Sequence, residues 1–145
     1  KAGRNWSFLA TEDQFRTLQR LHRNNLIIPL VGDFAGEKAI RAVGQYLKEH
    51  NAVIGAFYTS NVEQYLFQQT DDWKNFYDNV RTLPIDSSSA FIRAVLNRRV
   101  PGAFSFGAGS GWSRTAWSPI VDTLRAYDKR KITNYSDVVG ISRLR

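Results

Sequence analysis

Apolar residues return along this chain in two rhythms, and the rhythms alternate. Residues 26–31, Leu-Ile-Ile-Pro-Leu-Val, form a continuous apolar run, as expected for a strand buried on both faces. Residues 52–58 form a second run of strand length. Between them, residues 37–49 read as a helix, with Ala39, Ile40, Val43 and Leu47 on one face. The chain therefore predicts two strand-then-helix units, residues 26–47 and 52–69. Such connections are right-handed and make the strands parallel, so both strand ends emerge at one edge of a sheet. In open α/β sheets that carboxyl edge is where ligands bind. Pro29 fits poorly, since it cannot donate to a ladder, and it points to an edge position or a bulge.

The remaining pattern is mostly helical. Thr11 with Gln14 forms a capping box ahead of Phe15, Leu18 and His22, and Asn24-Asn25 ends that helix. Ser60 with Glu63 reads as a second capping box, opening a helix through Gln68. Asp71 or Asp72 caps a helix whose Trp73, Phe76, Tyr77 and Val80 share a face. Asp86 and its serines are expected to start another, with Phe91, Ala94 and Val95 inward. Residues 101–113 shift to Gly, Ser and aromatics and read as a loop. A helix over residues 117–127 tolerates Pro119 in its first turn, and residues 134–139 fit a short helix or a strand.

The expected class is α/β, with a Rossmann-like half-domain over residues 1–100. Residues 101–145 are a glycine-rich loop and a helical extension of the same domain. Two strands rarely sustain a domain, and the chain contains no methionine. The sequence is therefore read as part of a larger fold, with a missing half or a second copy covering a bare edge or apolar face.

Composition narrows the classes. With 145 residues, 43% hydrophobic and 23% charged, the chain has the make-up of a soluble globular protein. No apolar run approaches the roughly 20 residues a membrane span needs. The first residues lack a signal peptide's pattern, and cysteine is absent, which excludes disulfides and thiolate zinc sites. A cytoplasmic protein is expected. The net charge of +7 attracts polyanions, but the basic residues are scattered, with Lys129-Arg130-Lys131 the densest run.

Candidate chemistry gathers at the two strand ends. Asp33, flanked by Gly32 and Gly36, either accepts hydrogen bonds from a ligand or caps the following helix. After the second strand come Ser60, Asn61, Gln64 and Tyr65, where a helix opening at the sheet edge aims several polar groups at one ligand. Asp33 and Asn61 are the catalytic candidates. Asp33, Tyr58, Ser60, Asn61, Gln64 and Tyr65 are the substrate-binding set, with the tyrosines as walls. Residues 107–111, Gly-Ala-Gly-Ser-Gly, have only residues 103–106 as a possible preceding strand and no acidic residue at a second strand's tip, so they read as a loop rather than a dinucleotide turn. His22 and His50 carry no metal-ligand spacing, and no nucleophile-elbow or phosphate-loop pattern occurs.

Residues 25–41, with Leu-Ile-Ile-Pro-Leu-Val-Gly-Asp-Phe-Ala-Gly, and residues 57–67, with Ser-Asn-Val-Glu-Gln-Tyr-Leu-Phe, carry a recognisable pattern. With Leu83-Pro84 and Phe91-Ile92-Arg93, they resemble the C-terminal half of an uncharacterised bacterial family. That family looks like class I S-adenosylmethionine-dependent methyltransferases. Glu37 stands where its members carry proline. The resemblance implies that Asp33 and Ser60-Asn61 face a methyl acceptor. It also implies that the turn and acidic residue binding S-adenosylmethionine belong to an N-terminal half with no counterpart here. The expectation is a methyltransferase-like enzyme; the alternative is a non-catalytic basic module for RNA or another polyanion.

Overall fold

Thr11 opens the first helix as its sequence predicts. In the computed structural model, which describes residues 7–96 and 113–144, its hydroxyl accepts the Gln14 N–H at 3.3 Å, at the start of α1 (Glu12–Arg23). Asn24 ends α1 and Asn25 takes the left-handed conformation, with φ of 53°. The chain divides into two compact units, Lys1–Val31 and Gly32–Arg145. Within the first, residues 26–31 bend at Leu26 and Ile27 and carry no strand ladder. Leu26, Ile28 and Leu30 are exposed and Val31 is fully so, at 100%.

The strand predicted at residues 26–31 is therefore not observed, and it shares no sheet with the second run. An apolar run becomes a strand only where a neighbour supplies hydrogen bonds and both faces are covered. Pro29 removes one donor in the middle of the segment.

The second unit holds a four-stranded open mixed sheet in the order β1 (Ala56–Ser60), β2 (Ala90–Leu96), β3 (Ser113–Pro119), β4 (Arg143–Leu144). Strand β1 is parallel to β2, while β2 with β3 and β3 with β4 are antiparallel. Two helices, α3 (Val62–Leu66) and α4 (Asp72–Val80), carry the chain from β1 to β2. Helix α2 (Ala39–Glu49) precedes β1; α5 (Ile120–Asp128) and α6 (Tyr135–Gly140) lie between β3 and β4.

The core forms against one face of this sheet. Phe91 on β2 is wholly buried, and its ring lies 5.6 Å from that of Phe57 and 6.1 Å from that of Phe76. Phe34 stacks on Phe76 at 6.0 Å, so the loop ahead of α2 joins the same cluster. Glycine is needed where backbones close in. A Cβ on Gly44 of α2 would come within 3.1 Å of the Thr82 carbonyl just past α4. At Gly32 it would collide with the Ala39 Cβ at 2.3 Å.

Two further expectations change. Residues 86–96 are not helical. The Asp86 carboxylate accepts the Ser88 N–H and hydroxyl, at 2.8 and 2.7 Å, forming a turn, and β2 follows. The spacing of Phe91, Ala94 and Val95 imitates a helix, but Phe91 and Arg93 are buried while Ile92 and Ala94 are only partly so, the alternation of a strand. The helix expected from Trp117 starts at Ile120 instead, because residues 113–119 pair with β2 and Pro119 becomes the helix N-cap. The open choice at residues 134–139 resolves to helix α6, closed by a capping box between Asn134 and Asp137. The glycine-rich residues 107–111 lie outside the described residues. Among the described residues no helix is long and apolar enough to cross a membrane.

Phe91→Ala is expected to cost about 3–5 kcal/mol in chemical denaturation. Leu30→Ser, in the exposed segment, should stay within about 0.5 kcal/mol of the parent. A loss above about 2 kcal/mol at Leu30 would show that the segment is buried in solution.

Candidate functional site

Strand β1 does not pass smoothly into α3. Its pairing with β2 shifts register between Tyr58 and Ser60, a bulge that brings Ser60 opposite Arg93. Ser60 takes φ of 51°, the left-handed region that costs an L-residue about 1–2 kcal/mol. Asn61 then caps α3 by position but offers no side-chain cap hydrogen bond.

The capping box expected between Ser60 and Glu63 is absent because Glu63 is used elsewhere. Its carboxylate turns inward and pairs with Arg93 of β2, with side chains 1% and 0% exposed. Arg93 donates through Nε to Glu63 Oε2 and through Nη2 to Oε1 at 3.1 Å. Each carboxylate oxygen receives one further bond: Thr59 Oγ1 donates to Oε2 at 3.0 Å and Tyr77 Oη to Oε1 at 2.7 Å. Arg93 Nη1 donates to Ser118 Oγ at 2.7 Å, and Ser118 lies 2.9 Å from Thr123 Oγ1. The guanidinium sits 4.4 Å over the Phe91 ring. One sealed network thus ties β1, α3, α4, β2, β3 and α5 together beneath the junction.

Tyrosines around this network hold their protons tightly. Burial, then the Glu63 carboxylate, pushes Tyr77 far above its ordinary value. Tyr135 of α6 is raised by the same two causes. The Tyr135 hydroxyl is buried without a hydrogen-bond partner among the described residues.

The predicted site residues do not all converge. Ser60, Asn61 and Gln64 sit half-buried at the junction, and Tyr65 on α3 is exposed. Ser60 Oγ lies 3.5 Å from Asn61 Oδ1. Tyr58, two residues before Ser60, falls on the opposite sheet face from Thr59 and is 63% exposed. Asp33 lies in another loop, exposed, with Oδ1 accepting the Ala35 N–H at 2.9 Å. That loop is pinned by Asn79 of α4, whose Nδ2 donates to the Phe34 and Gly36 carbonyls at 3.0 and 2.8 Å. No described hydrogen bond joins Asp33 to the junction. A concavity of about 440 Å³ in the first unit, lined by Phe8, Asp13, Gln14, Thr17, Leu18 and Leu21, contains none of these residues. Among the described residues no cluster of His, Asp or Glu could hold a metal ion.

Sequence reasoning missed the Glu63–Arg93 pair. The available signal was an arginine inside the apolar run Phe-Ile-Arg-Ala-Val, since a charge on a buried strand face demands a partner.

Removing one partner leaves the other charge buried, so Glu63→Ala and Arg93→Ala should each cost about 3–5 kcal/mol. The double variant Glu63→Leu/Arg93→Met should cost less than the sum of the corresponding single changes, by at least about 1 kcal/mol in a double-mutant cycle. Additive losses would contradict the coupling. Tyr135→Phe should be neutral or stabilising, because it removes an unpaired buried hydroxyl.

Stability should fall at both pH extremes. Asp137 is held below its ordinary 3.8 by hydrogen bonds from Thr133 and Asn134, so its stabilising contribution is present above that value and disappears on acidification through the lowered one. Tyr77 acts in the opposite sense: its contribution is complete below the ordinary 10.0 and declines above it, as the unfolded chain ionises and the folded one does not. Thermal melts across pH check both limbs. Asp137→Asn should make the acid limb shallower and leave the alkaline one unchanged, the rest of the acid limb coming from Asp86 and Asp128, which are also held low.

No curated protein matches this sequence. The profile of one family, described as a domain of unknown function (DUF7790), matches residues 1–138. The chain, nearly all of which that match covers, belongs to this family.

Proposed function

We propose that this chain is the substrate-side portion of a methyltransferase-like enzyme built on a Rossmann-like sheet, and that the β1–α3 junction orients the methyl acceptor. The observation that carries the reading is Ser60. It is a non-glycine residue in the left-handed region, at the carboxyl end of a strand that runs parallel to its neighbour. Strained backbone persists where surrounding structure over-determines it, and it gathers at functional sites. Here the restraint is the Glu63–Arg93 network directly below.

The groups presented at the junction suit positioning rather than proton transfer. Ser60 offers a hydroxyl, Asn61 and Gln64 offer amides, and Tyr65 is a flanking ring. Methyl transfer relies chiefly on holding the acceptor in line and needs little acid–base machinery. Asn61 is the candidate for fixing the acceptor by hydrogen bonds, with Asp33 as a second carboxylate candidate on its own loop.

S-adenosylmethionine does not fit the described residues. At the carboxyl end of β1 the carboxylate is Glu63, already saturated by Arg93, Tyr77 and Thr59. Asp33 follows a segment outside the sheet and has one oxygen engaged by Ala35. In this reading the junction contributes acceptor binding alone, and the cofactor-binding half is one that this chain does not match. Calorimetry of the full-length protein with S-adenosylmethionine is expected to give saturable binding. No heat at high protein concentration would contradict the methyltransferase reading.

A second reading has its own support. Lys129, Arg130 and Lys131 form an exposed basic turn after α5, with Arg130 left-handed at φ of 53°, in a chain of net charge +7. Such a chain attracts polyanions, RNA among them.

A further inference from the structure

The helices of the second unit gather on one face of its sheet, and the other face carries a row of side chains in register across all four strands. Tyr58 of β1 stands opposite Ile92 of β2, Ile92 opposite Trp117 of β3, and Trp117 opposite Arg143 of β4. Residues paired in this way project to the same side of a sheet. This side is the reverse of the one that buries Phe91 and Arg93, because the row alternates with them. We propose that this face is a platform for single-stranded nucleic acid, whose bases stack on Tyr58 and Trp117 while Arg143 meets the phosphate backbone. The inference rests on the polyanion reading above and assigns it a surface and a strand type.

Three features of the row favour this occupant over a protein partner. First, the Tyr58 ring is available, 63% exposed on an edge strand, while Trp117 is partly exposed and carries the Arg143 guanidinium over its ring. Tyr58 and Trp117 lie two strand spacings apart, roughly 10 Å, so each ring can take its own base once Arg143 turns from Trp117 to a phosphate. Second, the charge is complementary. The Arg143 guanidinium lies 4.8 Å over the Trp117 ring, and the row contains no carboxylate. An apolar partner helix would gain nothing from an arginine there, whereas a phosphate gains a charge-assisted bond. Third, Ile92 lies between the rings, with small Ala56 and Ala94 beside the row, so a flat base can settle without colliding with long side chains. A duplex keeps its base faces stacked and cannot use such a platform, whereas a single strand can.

The test is fluorescence anisotropy of short labelled oligouridine and oligothymidine, and of a duplex of the same length, titrated with the whole chain at low and moderate salt. Both single strands should bind more tightly than the duplex, with affinity falling as salt rises. Tyr58→Ala should weaken binding by about 5- to 100-fold and Tyr58→Phe should restore it, since stacking needs the ring and not the hydroxyl. Arg143→Ala should weaken binding and reduce its salt dependence. Tyr58 is exposed, so its variants keep the test readable if Trp117→Ala fails to fold.

Single-strand binding that Tyr58→Ala leaves unchanged, or duplex binding of equal strength, would overturn the platform while the polyanion reading stood. No binding of any probe at low salt would overturn both. Self-association in sedimentation that Tyr58→Ala relieves would make the face a contact between copies and would likewise overturn the proposal.

Discussion

A carboxylate and a guanidinium sealed from water constrain everything around them. Neither Glu63 nor Arg93 reaches solvent, and an ion pair in that position is tolerable only when its hydrogen-bonding capacity is met. Glu63 receives two bonds on each oxygen, from Arg93, Thr59 and Tyr77. Arg93 Nη1 donates to Ser118 at 2.7 Å and, more weakly, to Ser142 at 3.4 Å. Each partner comes from a different element, so the register of β1, β2 and β3 and the placement of α3 and α4 are set together. A slip of one residue in β2 would carry Arg93 to the open face and leave Glu63 unpaired. Well-packed apolar residues in place of such a pair are often as stable, so its presence is weak evidence of net stability.

The same network explains how a five-residue helix and a left-handed serine can persist. Helix α3 is too short to be stable alone, and Ser60 sits where only glycine is comfortable. Glu63 anchors the helix from below, and Thr59 anchors the strand end one residue before Ser60. The junction is thereby held open at the surface while its base stays rigid, the arrangement a binding site needs.

Much of the helical architecture was legible in the sequence, because caps and apolar faces are local signals. The Thr11 cap of α1, its stop at Asn24-Asn25, and the Trp73–Phe76–Tyr77–Val80 face behave as their spacing predicts, although the Gln14 half of the expected capping box does not form among the described hydrogen bonds. The strands were less legible because a strand is decided by its neighbour. Residues 26–31 have the more strand-like composition yet find no ladder, whereas residues 90–96 look helical and become one of the two interior strands, where Arg93 meets Glu63. At the junction, the sequence marks Ser60, Asn61 and Gln64 as polar groups at a strand end. It hides the role of Glu63, since Ser-x-x-Glu fits a capping box equally well, and the competing partner lies thirty residues away. Asp33 was drawn to the same edge by a strand that does not form.

The central claim is that the sealed Glu63–Arg93 pair holds the β1–α3 junction as one unit with the sheet. Native-state hydrogen exchange of the Gln64 and Phe67 amides, which donate to the Asn61 and Glu63 carbonyls at 3.1 and 3.0 Å, tests it directly. If the network governs the junction, these amides open only with the free energy of global unfolding, matching the amides of β2. Exchange of Gln64 and Phe67 through low-energy local opening, as fast as in a fraying five-residue helix, would contradict the account.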